Sequence, residues 1–267
     1  PDSYRTLLQL QEWARRRVIA GGGRITIRLV KGANMESERA ESSMRGWPQA
    51  PYRSKRETDA NYKRMVHAVM EPANLAAMSV GIASHNLFDL AYGLVLAHER
   101  GALDKVQFEM LEGMANAQRR ALFELSNNLL LYAPACRREN FINAIGYLIR
   151  RLDENTGPEN FLRHAFKIEV DGPEWRQLEQ GFLAAFDAIP RTSDAPRRHQ
   201  DRNVPPVATP ALARGWQQLE CEPDTDFALP QNGEWVQKIV AKWQARCGAA
   251  AVQVPLVIAG EEVLEGR

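Results

Sequence analysis

Cysteine is scarce and scattered in this chain. Cys136, Cys221 and Cys247 are odd in number and far apart in 267 residues. They form neither a metal-binding spacing nor a disulfide framework, so a reducing cytoplasm is the expected setting. Long apolar runs are missing too: stretches such as LAYGLVLA at 90–97 fall far short of the ~20 residues that span a bilayer. Nothing at the N-terminus resembles a signal peptide. Neither sign of charge predominates, with 34 Lys and Arg against 33 Asp and Glu. That balance argues against a nucleic-acid binder, which carries a basic excess or stripe. A Walker loop, a Ser/His/Asp set and a cluster of metal ligands are also absent, and no GxGxxG follows the first predicted strand.

What is present is a rhythm. YRTLLQLQEWARRR at 4–17 has helical spacing, and RITIRLVKG reads as a buried strand. RETDANYKRMVHAVM at 56–70 is helical, MSVGIASHN at 78–86 is a second strand, and LFDLAYGLVLAHERG is a helix. VQFEML at 106–111, NAQRRALFELSN, LLLYAPA at 129–135 and ENFINAIGYLIRRLDEN continue as strand, helix, strand and helix. Strands alternating with helices predict right-handed βαβ units and a parallel sheet. Four units suit half of a (β/α)8 barrel or a small doubly wound sheet. Beyond residue 168 come a helix, EWRQLEQGFLAAFDAI, and a Pro-rich, charged linker, then a further helix and a terminal strand, VPLVIAG, without a partner in sequence. The chain opens on Pro1 and runs straight into a helix, so it is expected to be a piece of something longer.

Ligands of parallel α/β folds meet the C-terminal ends of strands. Those ends carry Arg28 and Lys31-Gly32-Ala33, then Ser84-His85-Asn86, then Glu109, Leu111 and Glu112, then Tyr132. Together they suggest a polar mouth for a ligand bearing negative charge. Singly, each has a plain structural role as well. Arg28 reads equally as a barrel-interior residue paired with Glu109, His85 as a hydrogen-bonded turn residue, and Lys31-Gly32 as an ordinary strand exit.

The last helix of the series carries two adjacent arginines. At about 100° per residue, Phe141, Ile142, Ile145, Leu148, Ile149 and Leu152 gather on one face, which is expected to pack on the barrel or sheet. Tyr147, Arg150, Arg151 and Glu154 gather on the other. From periodicity alone that face is solvated, with Arg150 and Glu154 as a surface i,i+4 pair worth about 0.3–0.5 kcal/mol. If something lies over it, a tyrosine and two forked donors suit a carboxylate.

At RLVKGA, ASHN, YAPA and YLIRRLDEN the sequence resembles the proline dehydrogenase family, and more specifically the proline dehydrogenase half of the bifunctional bacterial proline utilization A enzymes, over residues 1–167. The resemblance implies the C-terminal half, about strands five to eight, of a (β/α)8 TIM-type barrel with FAD at its mouth. It implies oxidation of L-proline to 1-pyrroline-5-carboxylate, with hydride accepted at the flavin N5. Arg28 matches the arginine beside N5 and Tyr132 the tyrosine over the substrate ring; these two are the expected catalytic residues. Val30, Lys31, Gly32 and Ala33 match backbone near the isoalloxazine, Lys55 and Thr58 the phosphate and ribose side, and Ser84 and His85 a further cofactor contact. Leu111 and Tyr147 match walls of the proline pocket. Arg150 and Arg151 match the paired arginines that grip the substrate carboxylate, and Glu154 the acid that orients them at the cofactor's edge.

The resemblance further implies a quinone acceptor with peripheral contact at the inner membrane face, a homo-oligomer in the full-length protein, and no nucleic-acid partner. Residues 168–227 are expected to be helix and linker. Residues 228–267 resemble the opening of an aldehyde-dehydrogenase-like domain, whose NAD site and nucleophilic cysteine lie elsewhere; Cys247 does not match that cysteine. Two departures stand out. Asn34 and Met35 replace a pair of lid aromatics, and the family's strands one to four are not in this sequence, so the chain alone is expected to be weakly active or inactive. The competing readings are a Schiff-base lyase barrel using Lys31 and a non-catalytic complementation piece.

Overall fold

The computed structural model describes residues 1–32, 35–158, 160–165, 168–205, 221–251 and 253–264. Ala33 and Asn34, expected beside a flavin, lie outside them. The chain divides into two units, residues 1–41 with 49–197 and residues 42–48 with 198–267.

Four parallel strands form the frame of the first unit: β1 (Ile25–Leu29), β2 (Met78–Ala83), β3 (Val106–Leu111) and β4 (Leu129–Tyr132). They lie side by side in chain order, with Arg28 opposite Gly81, Ala83 opposite Glu109 and Leu111 opposite Tyr132. Helices α1 (Ser3–Ile19), α2 (Met35–Arg45), α3 (Lys55–Val69), α4 (Pro72–Ala77), α5 (Leu87–Glu99) and α6 (Asn116–Ser126) precede and connect the strands. The chain continues through α7 (Phe141–Thr156), α8 (Phe161–Ala165) and α9 (Pro173–Ala188). This is an α/β fold with a parallel sheet, as the alternation predicts.

Local chemistry starts two of the connecting helices. Ser54 and Glu57 form a reciprocal capping box ahead of α3. Asn86 Oδ1 accepts the Phe88 N–H at 2.9 Å and caps α5. Because side chains alternate along a strand, Met78, Val80 and Ile82 of β2 and Val106, Phe108 and Met110 of β3 all point into the helix layer and are fully buried. Met65, Val66 and Val69 of α3, Leu90 and Ala97 of α5, and Leu7 and Ala14 of α1 complete that core. Each large side chain so buried stabilises the fold by roughly 1.5–3 kcal/mol before entropy is counted.

The first unit runs past residue 167 to Arg197, because α9 packs on α3 and α5 through aromatic contacts. Phe88 meets Trp175 at 4.9 Å between ring centres, and Tyr92 meets Phe186 edge-on at 5.2 Å. The Lys63 ammonium lies 4.4 Å from the Phe182 ring centre.

Helix α7 departs from the sequence expectation. Its apolar stripe does not pack on the sheet: Phe141, Ile142, Ile149 and Leu152 are 60%, 71%, 52% and 56% exposed. The polar stripe turns toward the strand ends instead. Amphipathic spacing defines two faces but does not say which one meets a neighbour, and here Tyr147, Arg151 and Glu154 find polar surroundings at the C-terminal ends of the strands.

The second unit is held by polar side chains around a loop. Buried Asn232, in α10 (Pro230–Gln244), donates to Asp226 O at 3.0 Å and accepts the Arg202 N–H at 2.8 Å. Trp47 Nε1 donates to Asp224 O at 2.6 Å, and the Arg198 guanidinium lies 4.6 Å from the Trp47 ring centre. The terminal strand expected to lack a partner has one: β5 (Leu256–Ile258) pairs antiparallel with β6 (Glu261–Val263).

Candidate active site

A cleft of about 390 Å³ opens at the C-terminal ends of the strands. From β1 and its exit come Arg28, Val30, Lys31 and Gly32; from β2, Ser84, His85 and Asn86; from β3, Glu109 and Leu111; from β4, Tyr132. Lys55, at the start of α3, joins them, as do Tyr147, Arg151 and Glu154 of α7. Three sequence-predicted residues lie elsewhere, the first being Glu112, which pairs with Arg119 at 3.1 Å. Thr58 lines a neighbouring cavity of about 540 Å³, which also touches Val30, Lys31 and Gly32. Arg150 is exposed and does not line the cleft. It stands one residue, or about 100° of helical turn, from Arg151, at the outer edge of the polar stripe.

On the inner face of the sheet the Arg28 Nε donates to the Glu109 carboxylate. The Arg28 guanidinium also lies 4.4 Å from the centre of the Tyr132 ring. Glu109 is 4% exposed and Arg28 45%, so the acid sits beneath the cation and the cation faces the cleft. Across the cleft, Arg151 Nη2 meets Glu154 Oε1 at 2.8 Å, and the Arg151 guanidinium lies 5.3 Å from the Tyr147 ring centre. The i,i+3 pair Arg151–Glu154 thus forms where an Arg150–Glu154 surface pair was expected. Leu111 adds an apolar wall.

Lys31 is committed to two carboxylates. Its ammonium lies 2.7 Å from Asp59 Oδ1 and 2.5 Å from Asp89 Oδ2. Lys55 also pairs with Asp59, and Lys63 with Asp89 at 3.3 Å. Burial opposes the Lys31 charge, but Asp89 and Asp59 outweigh it and hold the amine above the ordinary lysine range. Asp59 is likewise penalised by burial, yet Lys31 and Lys55 hold its carboxyl below the usual range. An amine kept protonated between two acids is a poor carbonyl nucleophile, which removes the physical basis for a Schiff base at Lys31. The two acids escaped the sequence reading. The available signal was an aspartate near the start of each of two helices, Asp59 as the fifth residue of α3 and Asp89 in the first turn of α5.

His85 is a neutral acceptor. Burial lowers its pKa, and its Nε2 receives the Leu111 N–H at 3.0 Å, which requires that nitrogen to be unprotonated. The bond ties the β2 exit to the end of β3. Gly32 leaves β1 at φ +114° with open space where a side chain would stand. The glycine is needed there for its backbone conformation. Asn155, Asn160 and Phe161 also line the cleft unannounced by the sequence; Asn160 Nδ2 donates to Glu154 O at 2.9 Å and closes the end of α7. Among the described residues no group of three His, Cys, Asp or Glu side chains is placed to hold a metal, and no helix is long and apolar enough to cross a membrane.

Solved structures with a similar fold exist. Proline utilization A (PutA) from Corynebacterium freiburgense matches 89% of this chain and 21% of its own, at TM-score 0.68 and 35% identity. PutA from Bdellovibrio bacteriovorus, in a form inactivated by N-propargylglycine, matches 100% of this chain and 24% of its own, at TM-score 0.66 and 28% identity. Among curated proteins, proline dehydrogenase 2 of Bacillus subtilis (strain 168) is 32% identical over 142 residues, 53% of this chain. The bifunctional protein PutA of Escherichia coli (strain K12) is 31% identical over 146 residues, 52% of this chain. The chain spans 40% of the length of the first relative and 11% of the second. The family model described as proline dehydrogenase matches residues 1–164, and with that match the chain belongs to the proline dehydrogenase family.

Proposed function

We propose that this chain carries the cofactor- and substrate-facing half of a proline dehydrogenase that oxidises L-proline to 1-pyrroline-5-carboxylate, with FAD as its cofactor. The observation that carries this reading is that Arg28 with Tyr132 and Arg151 with Glu154 line one cleft. An amino acid with an apolar ring presents one carboxylate and one hydrophobic body, and the cleft offers a forked cation beside the apolar wall of Leu111 and two tyrosine rings.

The donor set fits a flavin. Arg28 is a cation at a strand end, suited to the negative charge of a reduced flavin. Lys55 is a second cation on the phosphate side, Ser84 and His85 offer polar contacts, and Gly32 lets backbone pass close to a ring. FAD, when bound, supplies the acceptor for the hydride that leaves the substrate. The protein's own work is positional. Arg151 binds the carboxylate, Glu154 orients Arg151, and Leu111 with the tyrosines excludes water from the ring. Arg150 acts as the second member of the clamp only if it turns inward from its exposed position.

The open sheet supports a further part of the reading. Among the described residues β1 and β4 are its outer strands, and on its inner face Arg28 stays open to the cleft above the buried Glu109. We propose that the chain alone turns over weakly or not at all, and that a partner chain supplying the remaining strands restores activity. A bifunctional context, with an NAD-dependent second domain opening at residues 228–267, and a quinone acceptor at the inner membrane face belong to the same proposal, as does homo-oligomerisation of the full-length protein.

Purified chain, alone and mixed with a chain supplying the missing strands, would be assayed for flavin absorbance and proline-dependent dye reduction. Yellow protein and regained turnover in the mixture are expected. A colourless mixture inert to proline would overturn the assignment.

A further inference from the structure

The ion pair between β1 and β3 passes over β2. Arg28 stands opposite Gly81, and Gly81 opposite Gln107, so the side chains of Arg28 and Glu109 meet above the intervening strand. That crossing needs clearance. A Cβ on Gly81 would collide with the Glu109 carboxylate oxygen and lie 3.0 Å from its carboxyl carbon. Glycine inside a strand costs backbone entropy and packs nothing, and it commonly marks close approach of another group. Here the approaching group is the Glu109 carboxylate.

The bridge restricts the cation. One guanidinium N–H is committed to Glu109, and the Tyr132 ring lies against the guanidinium at 4.4 Å. The terminal NH2 groups are left for a ligand, and the planar fork fixes their direction. A buried carboxylate in contact with the cation also reduces the positive potential that Arg28 exerts on the cleft.

We propose that Glu109 is a positioning residue that aims Arg28 into the cleft and offsets part of its charge, with Gly81 as the clearance that permits the bridge. The inference deepens the cofactor reading and rests on it: the charge that Arg28 presents sets how strongly the site favours a reduced, anionic flavin. A plain space-filling ion pair would share these contacts and leave the flavin's potential unaltered.

Two readouts separate the possibilities. The first needs no flavin: hydrogen exchange of the Arg28 Nε–H, followed by NMR in the isotope-labelled chain. Slow exchange is expected in the parent sequence and in Glu109→Gln, whose amide oxygen still accepts. Fast exchange is expected in Glu109→Ala, and also in Gly81→Ala, which keeps every charge but blocks the crossing. Unchanged exchange in both alanine variants would show that Glu109 does not hold Arg28. The second readout is the midpoint potential of bound FAD in the flavin-loaded complex. Glu109→Gln should move it to a more positive value, because the Arg28 charge is then less compensated. An unshifted potential with slow exchange retained would overturn the charge-setting half of the proposal. If no flavin binds to any form, the cofactor reading fails, while the exchange measurement still decides the Arg28–Glu109 bridge.

Discussion

One sheet presents two unlike faces, made from alternate residues of the same strands. Toward the helices, Val80, Ile82, Val106 and Phe108 are fully buried in one hydrophobic cluster. Toward the other side, Arg28, Gly81, Glu109 and Tyr132 build a charged array with its cation open to the cleft. The apolar face fixes strand register, since a slip of one residue would send every core side chain to the wrong side. With register fixed, the alternate positions are free to carry charge, and the chemistry of the site is placed by packing on the opposite face.

The largest effect expected from breaking this division is on the packed face. Phe108→Ala should cost about 3–5 kcal/mol, read as a fall in the urea midpoint, since it empties a fully buried site between sheet and helices. Next comes the polar junction at the β1 exit. Lys31→Met strips both Asp59 and Asp89 of a shared cation while Lys55 and Lys63 remain, and should cost about 2–3 kcal/mol. The matching pH dependence has a definite sign. The folded Lys31 pKa is raised, so its stabilisation is complete below the unfolded lysine value of about 10.4 and is lost as pH rises through the folded value. Urea midpoints measured across that alkaline range check it; a Lys31→Met variant that lost the same increment at every pH would refute the linkage.

On the cleft face, if the proposed proline oxidation holds, Arg151→Met in the complemented protein should raise the proline KM by about 30-fold, equivalent to about 2 kcal/mol for a largely buried charge-assisted contact. Arg150→Met should raise it less, because that side chain is exposed. Equal effects would show that α7 turns on binding and brings both arginines in. The smallest effect belongs to His85. Its folded pKa is lowered by burial, so its contribution is complete above the unfolded value of about 6.5 and fades as pH falls below it. The Leu111 amide resonance should shift in that acid range, and a His85→Gln variant should lack the shift.

Periodicity was enough to find all four strands of the sheet and the longer apolar-striped helices α3, α5 and α6 between them, because their apolar residues recur at spacings that only one secondary structure satisfies. It missed α2, whose MESERAESSMR sequence has no apolar stripe. It also missed α4, a six-residue helix running directly into β2. In the cleft, the strand-end residues were legible because topology alone puts them together, and the Arg28–Glu109 pair was one of two open readings of Arg28. The grouping of Asp59 and Asp89 around Lys31 was not legible. It joins three elements distant in sequence, and each aspartate alone looks like a solvated helix-start acid. The orientation of α7 was also hidden, since an amphipathic pattern carries no record of which neighbour comes near.

The strand order β1, β2, β3, β4 repeats the order of the chain, and this bears on how the molecule is made. Each strand pairs with the one that left the ribosome just before it, so no strand must wait for a later segment to be inserted between it and an earlier neighbour. The sheet can grow from one edge at the pace of synthesis, with each connecting helix covering the step just completed. Among the described residues β1 and β4 remain as its two edges, and the closures from β2 to β3 and from β3 to β4, each spanned by one connecting α-helix, stay short for a parallel sheet.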